Sequence, residues 1–110
     1  RTGQDKPLLD ALRHAADFTL KCFTDDRPGK YEFYIQVGKT AGDRNDHSVW
    51  VPAEVVHLVT DRPAYKVTPA VPGTDVAGHT AAAWAACSVA FRAAGDTAFA
   101  DRLLEQARKM

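Results

Sequence analysis

The sequence predicts an all-α protein of about three helices joined by long loops, with at most one short strand. Three observations carry this expectation. Apolar residues recur at helical spacing over residues 7–23 and again over 97–109. Residues 76–94 are alanine-rich and apolar on nearly every side, as in a helix enclosed by other helices. Between these stretches, residues 24–73 are broken by Pro28, Pro52, Pro63, Pro69 and Pro72, which no long regular element accommodates.

The first helix is expected to start at Pro7, where a missing backbone N–H costs nothing. Leu8, Leu9, Leu12, Ala16, Leu20 and Phe23 form its apolar side, and Asp10, Arg13, Asp17 and Lys21 its solvated side. Thr24-Asp25-Asp26-Arg27-Pro28-Gly29 then reads as a surface turn, the carboxylate pair being solvated there. Tyr31–Val37 is aromatic and β-branched, enough for a short strand. Gly38, Gly42 and Pro52 mark the following stretch as loop, and a connection as long as 24–73 is usually functional. Thr74 is the expected N-cap of the next helix, with Asp75 near the positive end of its dipole. Ala94-Gly95-Asp96 ends this inner helix at about 94 and caps the last one, where Phe99, Leu103, Leu104 and Ala107 form one stripe. Paired inner and outer helices are consistent with a helical toroid.

With 14 basic and 14 acidic residues in 110, there is no net field to draw nucleic acid or an anionic membrane. His79, Thr80, Ser88 and Arg92 interrupt the longest apolar stretch, so a membrane span is not expected either. A helix apolar all round needs more chain around it than two neighbours supply, and Arg1 and Met110 lack the look of termini. The segment is therefore expected to be a piece of a larger protein. Cys22 and Cys87 lie in helical patterns without a Cys-x-x-Cys partner, which favours buried free thiols over a disulfide or a metal site.

The densest chemistry lies between Tyr34 and Glu54, centred on Asp46, His47 and Trp50. A carboxylate beside an imidazole can orient it, and an indole face can stack on a sugar ring or a base. One reading is structural, a buried loop histidine bonded to backbone with Trp50 plugging a core. The other is ring-ligand binding, above all carbohydrate. A metal site is disfavoured because the next histidine, His57, is ten residues away and no His-x-x-x-His occurs. His79 reads as a satisfied core histidine. No nucleophile elbow, phosphate-cradling loop or catalytic Cys-His pattern is present.

Taken together, Tyr34-x-Gln36-Val37-Gly38, Asp46-His47-x-x-Trp50-x-x-x-Glu54, Arg62-Pro63-x-Tyr65 and Pro72-Gly73-Thr74-Asp75-Val76-Ala77 leading into Thr80-Ala81-Ala82-Ala83 resemble the middle of a glycoside hydrolase family 9 cellulase. The resemblance runs from Pro7 to Met110. It implies part of an (α/α)6 barrel of a secreted endo-β-1,4-glucanase, which cleaves β-glucan with inversion by one carboxylic acid and one carboxylate. By the same resemblance His47 and Trp50 contact substrate, with Asp46 and Tyr34 in support. The family's catalytic Asp motif and Glu are absent, so no catalytic residue is expected in this chain. No cofactor or metal is expected in it, although calcium is possible elsewhere in the parent. The implied partners are the glucan and the remainder of the barrel, and the non-catalytic alternative is a carbohydrate-binding or structural fragment. Three departures bear on substrate preference: the seven-residue link Lys39–Asn45, His79 where Glu is usual, and Trp84 in a row of alanines.

Overall fold

A computed structural model describes residues 3–25 and 30–110. Helix α1 spans Asp5–Lys21, and a short strand β1 follows at Phe23–Thr24. Strand β2 is Glu32–Val37, a 3₁₀ turn covers Asp46–Ser48, a single helical turn α2 covers Val56–Val59, and strand β3 is Ala64–Val67. Helices α3, Thr74–Ala93, and α4, Thr97–Lys109, complete the chain. The expected turn residues Asp26, Arg27, Pro28 and Gly29 lie outside the described residues.

The strands form one antiparallel sheet in the order β1-β2-β3, where at most one short strand was expected. β1 and β3 are too short to show an alternating pattern, and their stability comes from pairing with β2 and from the core beneath. Phe23 stands opposite Phe33, and Phe33 opposite Val67, so one face of the sheet is apolar. Under that face lies Trp84 of α3, 1% exposed, with ring centroids 5.8 Å from Phe23 and 6.3 Å from Phe33. Its indole Nε1–H donates to Thr19 Oγ1 on α1 at 2.8 Å, so burying the ring leaves no polar atom unpaired. The tryptophan that stood out among alanines is thus the joint of sheet, α1 and α3.

α3 and α4 form a hairpin closed by Gly95, whose φ of 91° is left-handed. Asp96 caps α4 as expected, its side chain accepting from the Phe99 amide at 3.1 Å. Phe91 and Phe99 meet edge to face at 4.8 Å. Arg13 is only partly solvated, although its place in the helical pattern suggests a fully solvated side chain. Its guanidinium lies over the Phe99 ring at 4.0 Å and pairs with Asp96, joining α1 to the hairpin.

Three further local expectations differ from the structure. α1 begins two residues before Pro7, which still falls among the first-turn residues whose N–H groups lack helical partners. Thr74 is the first helical residue rather than the N-cap, which is Gly73, and it makes no side-chain capping bond. A Cβ on Gly73 would come within 2.4 Å of Val67 Cγ1, so the close crossing of β3 under the start of α3 requires glycine. Leu8 does not join the buried side of α1: Ala16 and Leu20 are buried, whereas Leu8 and Phe18 are 60% and 64% exposed.

α3 is not enclosed all round by these residues. Trp84, Ser88 and Phe91 are buried, while Gly78, Ala82, Ala83, Ala86 and Val89 remain exposed. The radius of gyration, 17.2 Å, also exceeds the roughly 13 Å of a compact domain of this length. These residues make an open slab rather than a closed globule. No described helix is long and apolar enough to cross a membrane. Both cysteines are free and half-buried, and burial pushes the Cys87 thiol pKa up.

Candidate functional site

β2 carries the chain out of the core and into the loop that bears the candidate residues. Its pairing with β3 shifts between Tyr34 and Gln36, leaving Ile35 as the extra residue of a bulge. Such bulges re-aim side chains beside binding sites. Tyr34 is on the outer face, its hydroxyl donating to Glu32 Oε2 at 3.3 Å and its ring 5.5 Å from Lys66 Nζ. Lys66 in turn pairs with Glu32 at 2.6 Å.

Beyond β2 the loop is stitched to residues 61–63. The Gly38 amide donates to the Pro63 carbonyl at 3.0 Å, and the Asp61 amide to the Arg44 carbonyl at 2.9 Å. Asp61 also accepts from Arg44 Nε at 2.9 Å and Lys39 Nζ at 3.3 Å, and those hydrogen bonds, Arg44 first, hold its pKa below the usual carboxylate range. Arg44 adopts φ 54°, which is costly for a residue with a side chain, and its two bonds to Asp61 hold it there. Asn45 closes the loop, its side chain accepting from the His47 amide at 2.8 Å and donating to the Gly42 carbonyl.

Asp46 does not orient His47 as expected. Its Oδ2 accepts from Arg62 Nη1 at 2.9 Å, and the carboxylate rests on Gly38, where a Cβ would lie 2.1 Å from Oδ2. Asp46 Oδ1 is buried without a hydrogen-bond partner among the described residues. The chain therefore spends its loop carboxylate on shaping the backbone. His47 and Trp50 are left facing outward, His47 exposed and Trp50 97% exposed. Among the described residues Trp50 plugs no core and His47 is not buried. His79 is likewise exposed, its Nδ1 2.8 Å from the Asp75 carbonyl oxygen on its own helix. It is not a core histidine here, because the side of α3 it occupies has no neighbour among these residues.

Arg62 and Asp61 are the residues that reading the sequence for chemistry passed over as site components. Arg62 had only its place in the Arg62-Pro63-x-Tyr65 run as a signal, and Asp61, just before that run, had none. Among the described residues no group of three or more His, Cys, Asp and Glu could share a metal ion. An apolar cavity of about 420 Å³ lies between the sheet and the α3 N-terminus, lined by Phe23, Tyr31, Phe33, Val67, Ala77 and Met110 among others. None of its lining comes from residues 34–66, so it is separate from the His47 loop.

The loop is tied down by ion pairs and hydrogen bonds and leaves the Trp50 indole and the His47 imidazole exposed. The identity of the scaffold comes from comparison. Residues 1–110 match the sequence profile described as glycosyl hydrolase family 9. Endoglucanase A of Bacillus pumilus is 42% identical over 104 residues, covering 94% of this chain and 14% of that protein. Endoglucanase 15 of Arabidopsis thaliana is 42% identical over 103 residues, covering 93% of this chain and 19% of that protein. The structure of the endoglucanase from the termite Nasutitermes takasagoensis matches with a TM-score of 0.69 at 40% identity, over 92% of this chain and 21% of that one.

The chain belongs to glycosyl hydrolase family 9. It spans only about a seventh to a fifth of the length of these relatives. The four helices and the small sheet of the described residues are accordingly part of the family's (α/α)6 barrel.

Proposed function

We propose that this chain forms one wall of the glucan cleft of an endo-β-1,4-glucanase that works by inversion and acts outside the cell. Trp50 offers its face to a glucosyl ring, and His47 hydrogen-bonds a sugar hydroxyl near the cleavage point. Tyr34 and Asp46 support them. The acid and base carboxylates come from chain outside these 110 residues, and the remaining barrel helices cover the exposed sides of α1 and α3.

The observation that carries this reading is Trp50, 97% exposed on a loop otherwise tied down by named hydrogen bonds. A large indole left in water gains nothing for the fold, since full burial would contribute on the order of 2 kcal/mol. Stacked on a sugar ring, it contributes about 1 kcal/mol beyond its area. That the relatives are named endoglucanases supports the substrate class.

The test uses the complete protein. Cellotetraose should quench or shift its tryptophan emission saturably, and Trp50→Ala and His47→Ala should each weaken that binding. The flanking reading frame should supply an Asp pair before Arg1 and a Glu after Met110. A frame lacking both would rule out hydrolysis and leave the carbohydrate-binding alternative, and absence of saturable binding would leave a structural fragment.

A further inference from the structure

We infer that Asp46 and Arg62 are positioning residues that set the cleft loop in its ligand-holding form, an inference that rests on the cleft reading above. Asp46 immediately precedes His47, and its carboxylate is fixed from two sides. Arg62 Nη1 holds Oδ2 at 2.9 Å, and Gly38 lies beneath it with no room for a Cβ. Side-chain exposures of 29% and 34% make this pair better shielded than Lys6–Asp10 or Arg92–Asp101.

The surroundings make the pair a clamp rather than a lone surface bridge. Gly38, at the start of the loop, bonds to the Pro63 carbonyl, and the Asp46 amide bonds to the Lys39 carbonyl at 2.9 Å. Arg62 stands between Asp61, which clamps Arg44, and Pro63, which takes the Gly38 amide. The Gly38 amide and the Asp46 carboxylate thus tie the two ends of the loop to residues 61–63, and the residue after Asp46 is the ligand-facing histidine. Planar, charge-assisted Arg–carboxylate contacts add directional specificity that an ammonium does not reproduce fully.

The clamp predicts a loss of ligand affinity without loss of fold when it is opened, because small displacements of a contact group cost binding steeply. In the complete protein, calorimetric titration with cellotetraose should show Asp46→Asn and Arg62→Gln weakened about tenfold, with thermal melts reporting folded protein. Arg62→Lys, which keeps the charge, should recover part of that loss, and Asp101→Asn on the remote α4 pair should bind like the parent. If Asp46→Asn does not fold, the Lys and Gln variants at Arg62 decide. Equal affinity in those two, or parent-like affinity in Asp46→Asn and Arg62→Gln while His47→Ala and Trp50→Ala bind weakly, overturns the clamp and leaves the cleft reading standing. Parent-like affinity in His47→Ala and Trp50→Ala removes the cleft reading itself.

Discussion

Replacing Gly38 with alanine should destabilise the loop through two separable effects. The new methyl group would lie 2.1 Å from Asp46 Oδ2, against a normal contact of about 3.4 Å, so the carboxylate must move by more than 1 Å. That movement breaks its 2.9 Å bond to Arg62. Residue 38 also has φ 97°, which costs a residue with a Cβ about 1–2 kcal/mol. Displacing a half-shielded ion pair adds about 1 kcal/mol, giving a total of about 2–3 kcal/mol. Urea unfolding, followed by the emission of the buried Trp84, measures the sum. A double-mutant cycle with Asp46→Ala separates the parts, because removing the carboxylate removes the clash and leaves only the backbone cost. A coupling energy of about 1 kcal/mol is expected. If Gly38→Ala costs the same with and without the Asp46 carboxylate, within about 0.3 kcal/mol, the seat beneath Asp46 has no energetic role and the reasoning fails.

The two tryptophans should behave as opposites. Trp84→Phe removes a buried indole and its bond to Thr19 and should cost about 2–3 kcal/mol in urea unfolding, whereas Trp50→Ala should change stability by less than about 0.5 kcal/mol. Asp25 accepts from Lys109 Nζ at 2.6 Å, a contact that lowers its pKa. Its contribution is present above the unfolded carboxylate pKa and lost as pH falls through the lowered folded value, so the acid limb of a pH–stability profile should flatten in Lys109→Met. Phe18 and Val89, 64% and 69% exposed, sit on faces of α1 and α3 that these residues leave bare. The isolated 110-residue chain should therefore self-associate in sedimentation, and Phe18→Glu with Val89→Asp should reduce it.

The legibility of the chain follows the range of the forces involved. Helix periodicity is a local property, which is why α1, α3 and α4 could be read to within about two residues. The Asp96 cap was legible for the same reason, since its partner is three residues away. β1 and β3 were not, because two- and four-residue strands exist only through pairing with β2. His79 is exposed here because an alanine-rich helix carries the pattern of enclosure whether or not the enclosing chain is at hand.

The sequence alone determined the helices, the hairpin turn at Gly95, the family resemblance and the choice of His47 and Trp50 as the residues to watch. Tertiary structure alone decided what surrounds them. It turned Trp84 from an oddity into the core and gave Arg13 to two aromatic rings. It moved Asp46 from its neighbour His47 to Arg62, 16 residues on. The physical reason is that a charged side chain pairs with the partner that folding brings to it, and sequence proximity carries little information about which partner that is.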